Sequence, residues 1–219
     1  MANQIITKED IKSKIMNIAR ENQSLPEEEI PGMGGEEMGI EDVQVNDQPI
    51  DQVTDGETGL YKLSQETIAE LTDRLKDEYS AHYFYRNAAN WCTDANYKKA
   101  AAFFAVEADT ELVHAKGLQD YMTGFNIIPV MPATETTKTF TSLPQIIREA
   151  YGIELDLMKK YNMTSSKLFG SDLTTFDFLQ GYRDGQKESV VEYNDLINGL
   201  SLVNEENKLD VLYFEQTYL

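Results

Sequence analysis

Four long runs of helical periodicity, joined by connections of very unequal length, constrain this chain more than any other feature. The first spans about 64–93, where Ile68, Leu71, Leu75, Tyr79, Ala81 and Tyr85 recur at helical spacing. After a short "TDAN" turn, the second spans about 96–123, with Gly124 near its stop. Residues 126–142 hold Pro129, Pro132 and a threonine-rich stretch, and read as a long connection. The third run spans about 142–170, with Pro144 tolerated in its first turn. The fourth spans about 174–201, and a short fifth runs from about 204 to the end. Helices of about 28 residues are roughly 40 Å long, and about 17 residues of extended chain reach roughly 55 Å. The short connections make helices one and two, and three and four, antiparallel neighbours. The long connection can travel the length of the bundle. The expected fold is all-α: a four-helix bundle with one long crossover plus a short fifth C-terminal helix.

The aromatic residues draw a boundary. All 22 of them lie from Tyr61 onward, and residues 1–60 contain none. Residues 21–60 carry twelve Asp or Glu, no Lys or Arg, six Gly and three Pro. Such a stretch cannot bury enough apolar surface to offset the entropy of ordering. Before it, a helix near 8–22 could place Ile11, Ile15 and Ile18 on one face. We therefore expect residues 1–60 to be an acidic flexible tail with a short docking helix for a protein partner, and residues 61–219 to be the folded domain.

The formal net charge of −19 argues against nucleic acid, whose phosphates would repel it, and suits a protein that attracts cations. The single Cys92 rules out an intramolecular disulfide, an iron–sulfur cluster and a Cys-rich zinc site. No apolar run approaches the roughly 20 residues that span a bilayer. The opening "MANQIITKED" lacks the apolar core of a secretory signal, so no membrane and a cytoplasmic location are expected.

Chemistry enters in the second helix. Glu111 and His114 in "ELVH" stand one turn apart on one face. Alone, that pair reads as surface pairing more often than as metal ligation. The first helix adds Glu78 among apolar and aromatic neighbours, with Tyr85 two turns later. The third adds Glu154 in "YGIELDLM", and the fourth adds Gln186 in "LQGYRDGQKES". One residue from each long helix thus falls in an apolar stripe. Carboxylates buried there need a cation or a proton. Oxygen ligands with one imidazole suit iron, with manganese or zinc as competitors. His82, four residues after Glu78, is a rival ligand by spacing alone.

From about residue 64 to the end, the chain resembles bacterial non-haem ferritin, a ferritin-like di-iron carboxylate protein. The resemblance rests on "DEYSAHYFYRNAANWC", "AAAFFAVEADTELVHAKGLQDYM", "TFDFLQGYRDGQKE" and the closing "LYFEQTYL". It implies that Glu78 and His114 hold a first iron, that Glu111 bridges two irons, and that Glu154 is the terminal ligand of the second, with Gln186 close by. Tyr85 is the tyrosine that can supply an electron, so Tyr85, Glu111 and Gln186 are its catalytic residues. It places His82 away from the metal. The implied activity is that of a ferroxidase: Fe(II) oxidised by dioxygen at a di-iron centre, then stored as ferric mineral in a homo-oligomeric shell of about 24 subunits. The third iron site of many bacterial ferritins is not matched, since Thr110, Gly185 and Ser189 stand at its positions and only Glu188 remains. Two other readings fit the same helices: a di-iron oxidase or peroxidase that stores no mineral, and a ferritin-like docking module attached to a larger assembly through its tail.

Overall fold

The computed structural model describes residues 60–219. The expected tail, with its docking helix near 8–22 and Ile11, Ile15 and Ile18, lies outside the described residues. No strand occurs among those described. Six helices follow in order: α1 Gln65–Asp94, α2 Lys98–Gly124, α3 Leu143–Leu168, α4 Leu173–Phe178, α5 Gln180–Leu200 and α6 Lys208–Tyr218. They form the expected four-helix bundle, with α5 as its fourth long member and α6 as the short closing helix.

Local chemistry sets the ends. Ser64 caps α1, its Oγ accepting from Thr67 N at 3.0 Å, and Ser142 caps α3 by accepting from Gln145 N at 3.2 Å. The chain leaves α1 and α2 through Asn96 and Asn126, at φ 64° and 59°. Asparagine tolerates this left-handed region because its short polar side chain bonds locally. Gly124, expected near the stop, is the last helical residue, and Asn126 makes the turn instead.

The expected fourth helix, 174–201, is divided. Leu179 interrupts it, so α4 and α5 are separate. The Phe176 carbonyl, which an unbroken helix would pair with residue 180, accepts from Arg183 Nη1 at 3.0 Å instead. The same nitrogen donates to Ser165 Oγ at 2.6 Å, and the guanidinium lies 4.4 Å from the Phe176 ring centroid.

α2 lacks a side-chain cap of its own, and α6 supplies one. Glu215 is fully buried, and its Oε1 accepts from Lys99 N at 2.6 Å and Ala100 N at 3.3 Å. A carboxylate here meets two amides that the helix cannot satisfy, and the positive end of the helix dipole. Glu215→Ala should therefore cost about 1–3 kcal/mol, read as a lower denaturant midpoint with unchanged slope. An unchanged midpoint would show that water caps α2 equally well.

The crossover runs along α1. Asn87 Nδ2 donates to the Thr136 carbonyl at 2.9 Å, and Gln119 Nε2 lies 3.1 Å from the Tyr79 hydroxyl and 2.9 Å from Met131 Sδ. Phe140 closes one end against Phe84, at 5.3 Å between centroids. The core has two apolar parts. One gathers Phe84, Ala88, Phe104, Ile146, Tyr193 and Phe214. The other gathers Leu71, Leu75, Leu118, Met122, Leu168 and Leu179. Glu78 and Glu111 lie where the two parts meet, between Leu75 and Ala81 on α1 and between Ala108 and Ala115 on α2.

Candidate metal centre

Cross-helix contacts fix the level of each residue. Between α1 and α3, the Tyr85 hydroxyl donates to Glu154 Oε1 and the Tyr161 hydroxyl to Glu78 Oε1. Between α2 and α5, Phe103 packs on Tyr193 at 6.0 Å, and the Tyr182 hydroxyl donates to the His114 carbonyl at 3.0 Å. Both pairs of helices are therefore antiparallel, and their facing residues can be counted. Two layers result. One holds Glu78, Tyr161, His114 and Tyr182. The other holds Tyr85 and Glu154, with the Tyr85 ring stacked on Phe104 at 6.1 Å. Glu111 and Gln186 face each other between the layers.

The expected Glu-x-x-His pair does meet Glu78. His114 Nδ1 lies 3.1 Å from Glu111 Oε2 and 3.5 Å from Glu78 Oε2. One potential ligand atom from each of these three residues lies within 4.8 Å of the others. Glu78, Glu111, Glu154 and Gln186 are almost wholly buried, whereas 30% of the His114 side chain reaches solvent. Glu78 Oε2, Glu154 Oε2 and Gln186 Oε1 are buried without a hydrogen-bond partner. Such orphaned acceptors cost free energy unless a proton or a cation meets them. The set of buried carboxylate oxygens and one solvent-edged imidazole fits a hard-to-borderline divalent metal.

The electrostatics agree. Burial pushes the Glu111 carboxyl well above its usual range, and the Glu78 charge pushes it further. Burial raises Glu154 to about 8 despite the Tyr85 hydrogen bond. Burial works against charge on Glu78 too, but the nearby His114, with Glu111 and the Tyr161 hydroxyl, outweighs it and holds Glu78 below the usual value. His114 is raised well above a free imidazole: burial opposes the charge, but the Glu111 carboxylate and the hydrogen bonds overcome it.

His82, the rival by spacing, points elsewhere. Its Nδ1 lies 2.6 Å from the Ala108 carbonyl, which ties α1 to α2. Gly185 faces open space, with nothing within 4 Å of a Cβ built there, and Glu188 is exposed. Gly117 is different: its added Cβ would meet the Tyr182 hydroxyl at 2.5 Å, so the missing side chain lets Tyr182 reach the backbone of His114.

Sequence reasoning passed over two polar residues in these layers. Tyr161, fully buried, stands two turns after Glu154 on the same face of α3. It stacks on Tyr182 at 5.2 Å and supplies a hydrogen bond to Glu78. Glu107 is 6% exposed and stands one turn before Glu111. Its signal was present: positions 100, 104, 107, 111, 115, 118 and 122 form one buried stripe on α2.

A four-helix bundle with one long crossover and a buried carboxylate–imidazole cluster has the architecture of ferritin-like folds. The ferritin-like domain profile matches residues 68–203, and the chain belongs to that family. A bacterial non-heme ferritin of Escherichia coli is 29% identical over 154 residues, covering 69% of this chain and 92% of that relative. A probable bacterial non-heme ferritin-like protein of Haemophilus influenzae is 26% identical over 148 residues, covering 67% and 90%. Among solved structures, an open pore ferritin from Archaeoglobus fulgidus aligns with a TM-score of 0.66 at 21% identity, over 72% of this chain and 98% of that one. The ferritin of Chlorobium tepidum aligns with a TM-score of 0.61 at 23% identity, over 64% and 86%. At these identities the structures speak to the fold. No helix among the described residues is long and apolar enough to cross a membrane.

Proposed function

We propose that this chain is a cytoplasmic ferroxidase and iron-storage subunit that oxidises Fe(II) with dioxygen between its four long helices. The observation that carries the reading is the meeting of Glu78, Glu111 and His114 ligand atoms within 4.8 Å, beside orphaned buried oxygens. Glu78 and His114 hold the first iron, Glu111 bridges, and Glu154 with Gln186 faces the second. Two Fe(II) give one electron each, and dioxygen takes up these two electrons and two protons to leave as hydrogen peroxide. The carboxylates neutralise the higher charge of Fe(III). The protons on Glu111, Glu154 and His114 leave as iron enters. Tyr85, hydrogen-bonded to Glu154, stands where it can supply a further electron.

Storage requires a homo-oligomeric shell, on this reading about 24 copies of the 24.9 kDa chain, or roughly 600 kDa. Residues 61–219 form the ferritin-like unit and residues 1–60 an acidic extension whose Ile11, Ile15 and Ile18 would engage a protein partner.

Anaerobic addition of Fe(II), followed by air, tests the chemistry. Two Fe(II) per subunit should bind, and air should produce ferric absorbance faster than in protein-free buffer. Further iron should remain soluble with the shell on size exclusion. Oxidation at the buffer rate would defeat the ferroxidase reading. Fast oxidation by a small oligomer that retains no mineral would identify a di-iron oxidase instead.

A further inference from the structure

The layer of Tyr85 and Glu154 contains one more carboxylate than the proposed reaction uses. Glu107 lies on the buried stripe of α2, one turn from Glu111 and one turn from Phe103. Three contacts set its level. Phe104 stacks on Tyr85, the neighbouring residue Ala108 accepts from His82 on α1, and Phe103 packs on Tyr193 of α5. Counting along the antiparallel α2 and α5 puts Glu107 opposite Ser189 and Val190, one turn from Gln186. Glu107 and Glu154 thus flank the space on the far side of Glu111 from His114.

Two atoms independent of Glu107 point to a ligand in that space. Glu154 is fully buried, and its Oε2 has no partner while Oε1 is engaged by Tyr85. Gln186 is 2% exposed, and its Oε1 has no partner either. We propose that Glu107 is a direct ligand of the second metal position, which it completes together with Glu154 and the bridging Glu111. This rests on the two-metal reading above.

The chemistry favours the assignment. The first position has two carboxylates and an imidazole. The second, without Glu107, has Glu111, Glu154 and a neutral amide. Glu111 is shared, so two divalent ions with four positive charges would meet only three carboxylates, Glu78, Glu111 and Glu154, and Glu107 provides the fourth negative charge. Position 189, where a further acid could approach from α5, is a serine, so α2 supplies the charge that α5 lacks.

The test is Co(II) titration of the full-length assembled protein under argon, read by visible d–d absorption and by calorimetry. Wild type should take two Co(II) per subunit. Glu107→Gln, which keeps shape and removes charge, should keep the first and bind the second about 100-fold more weakly. Two Co(II) bound by the variant with unchanged affinities would overturn the proposal. Fewer than two in wild type would instead remove the two-metal reading, and this inference with it. Should the variant fail to assemble, anomalous scattering from cobalt-soaked wild-type crystals decides. A Glu107 oxygen at about 2.0–2.2 Å from the second ion is expected, and one left uncoordinated beside an occupied second position overturns the assignment.

Discussion

Glu111→Gln is expected to slow Fe(II) oxidation by at least about 100-fold while leaving the bundle intact. Glu111 lies between the two layers and is the bridging carboxylate of the proposed centre, so its loss should unlink the two positions rather than weaken one. Burial and the Glu78 charge push its carboxyl upward and so favour its neutral form when no metal is bound. Glutamine copies that neutral form in shape and in hydrogen-bonding groups. The metal-free variant should therefore unfold within about 1 kcal/mol of wild type, and a shell should still form. Stopped-flow absorbance at matched iron measures the rate, and thermal unfolding in chelator measures the fold. Wild-type oxidation in a folded variant would remove Glu111 from the centre.

Metal loading should raise the unfolding temperature strongly, and more so at higher pH. Free Zn(II) or Co(II) at a thousandfold excess over Kd contributes about 4 kcal/mol. For a chain of this size that corresponds to roughly 8–16 °C. The pH dependence follows from the raised groups. Glu154, at about 8 when folded, and His114, also raised, must lose their protons before they can ligate. Affinity should climb from pH 6 through about 8, with proton release that falls over the same range. The metal-free protein should show the opposite trend. A group whose folded pKa is raised stabilises fully below its unfolded value, and that contribution disappears as pH rises through the folded one. For Glu154 the window runs from about 4.5 to about 8. Calorimetric scans at pH 6 and pH 8, with chelator and with zinc, check both slopes. A metal-induced shift as large at pH 6 as at pH 8 would contradict ligation by Glu154 and His114.

The bundle was legible because helical periodicity is strong in long amphipathic runs, and because connection lengths dictate which helices can be antiparallel neighbours. The break at Leu179 was not, since apolar spacing continues across it and the compensating group, Arg183, acts through its side chain. The capping of α2 by Glu215 was hidden for another reason: its partner lies 116 residues away. At the site, Glu78, Glu111, His114, Glu154 and Gln186 could be picked out by motif, and Tyr85 beside them. Glu107 and Tyr161 carried no motif: Glu107 shares the apolar stripe of Glu111 and Tyr161 the face of Glu154, but an isolated Glu or Tyr in a helix has an ordinary explanation. Only the counting of levels across helices sets Glu107 beside Glu154, and Tyr161 beneath Glu78.

The exposure of His114, alone among the buried cluster that surrounds it, has a consequence for the order of events. If the solvent-reaching edge of His114 is the way into the proposed centre, ions enter in single file, and the inner position exchanges only while the outer one stands vacant. Release then runs last in, first out. Two different metals added in turn should settle into a mixed pair whose arrangement records the order of addition, and a chelator should recover the second metal before the first.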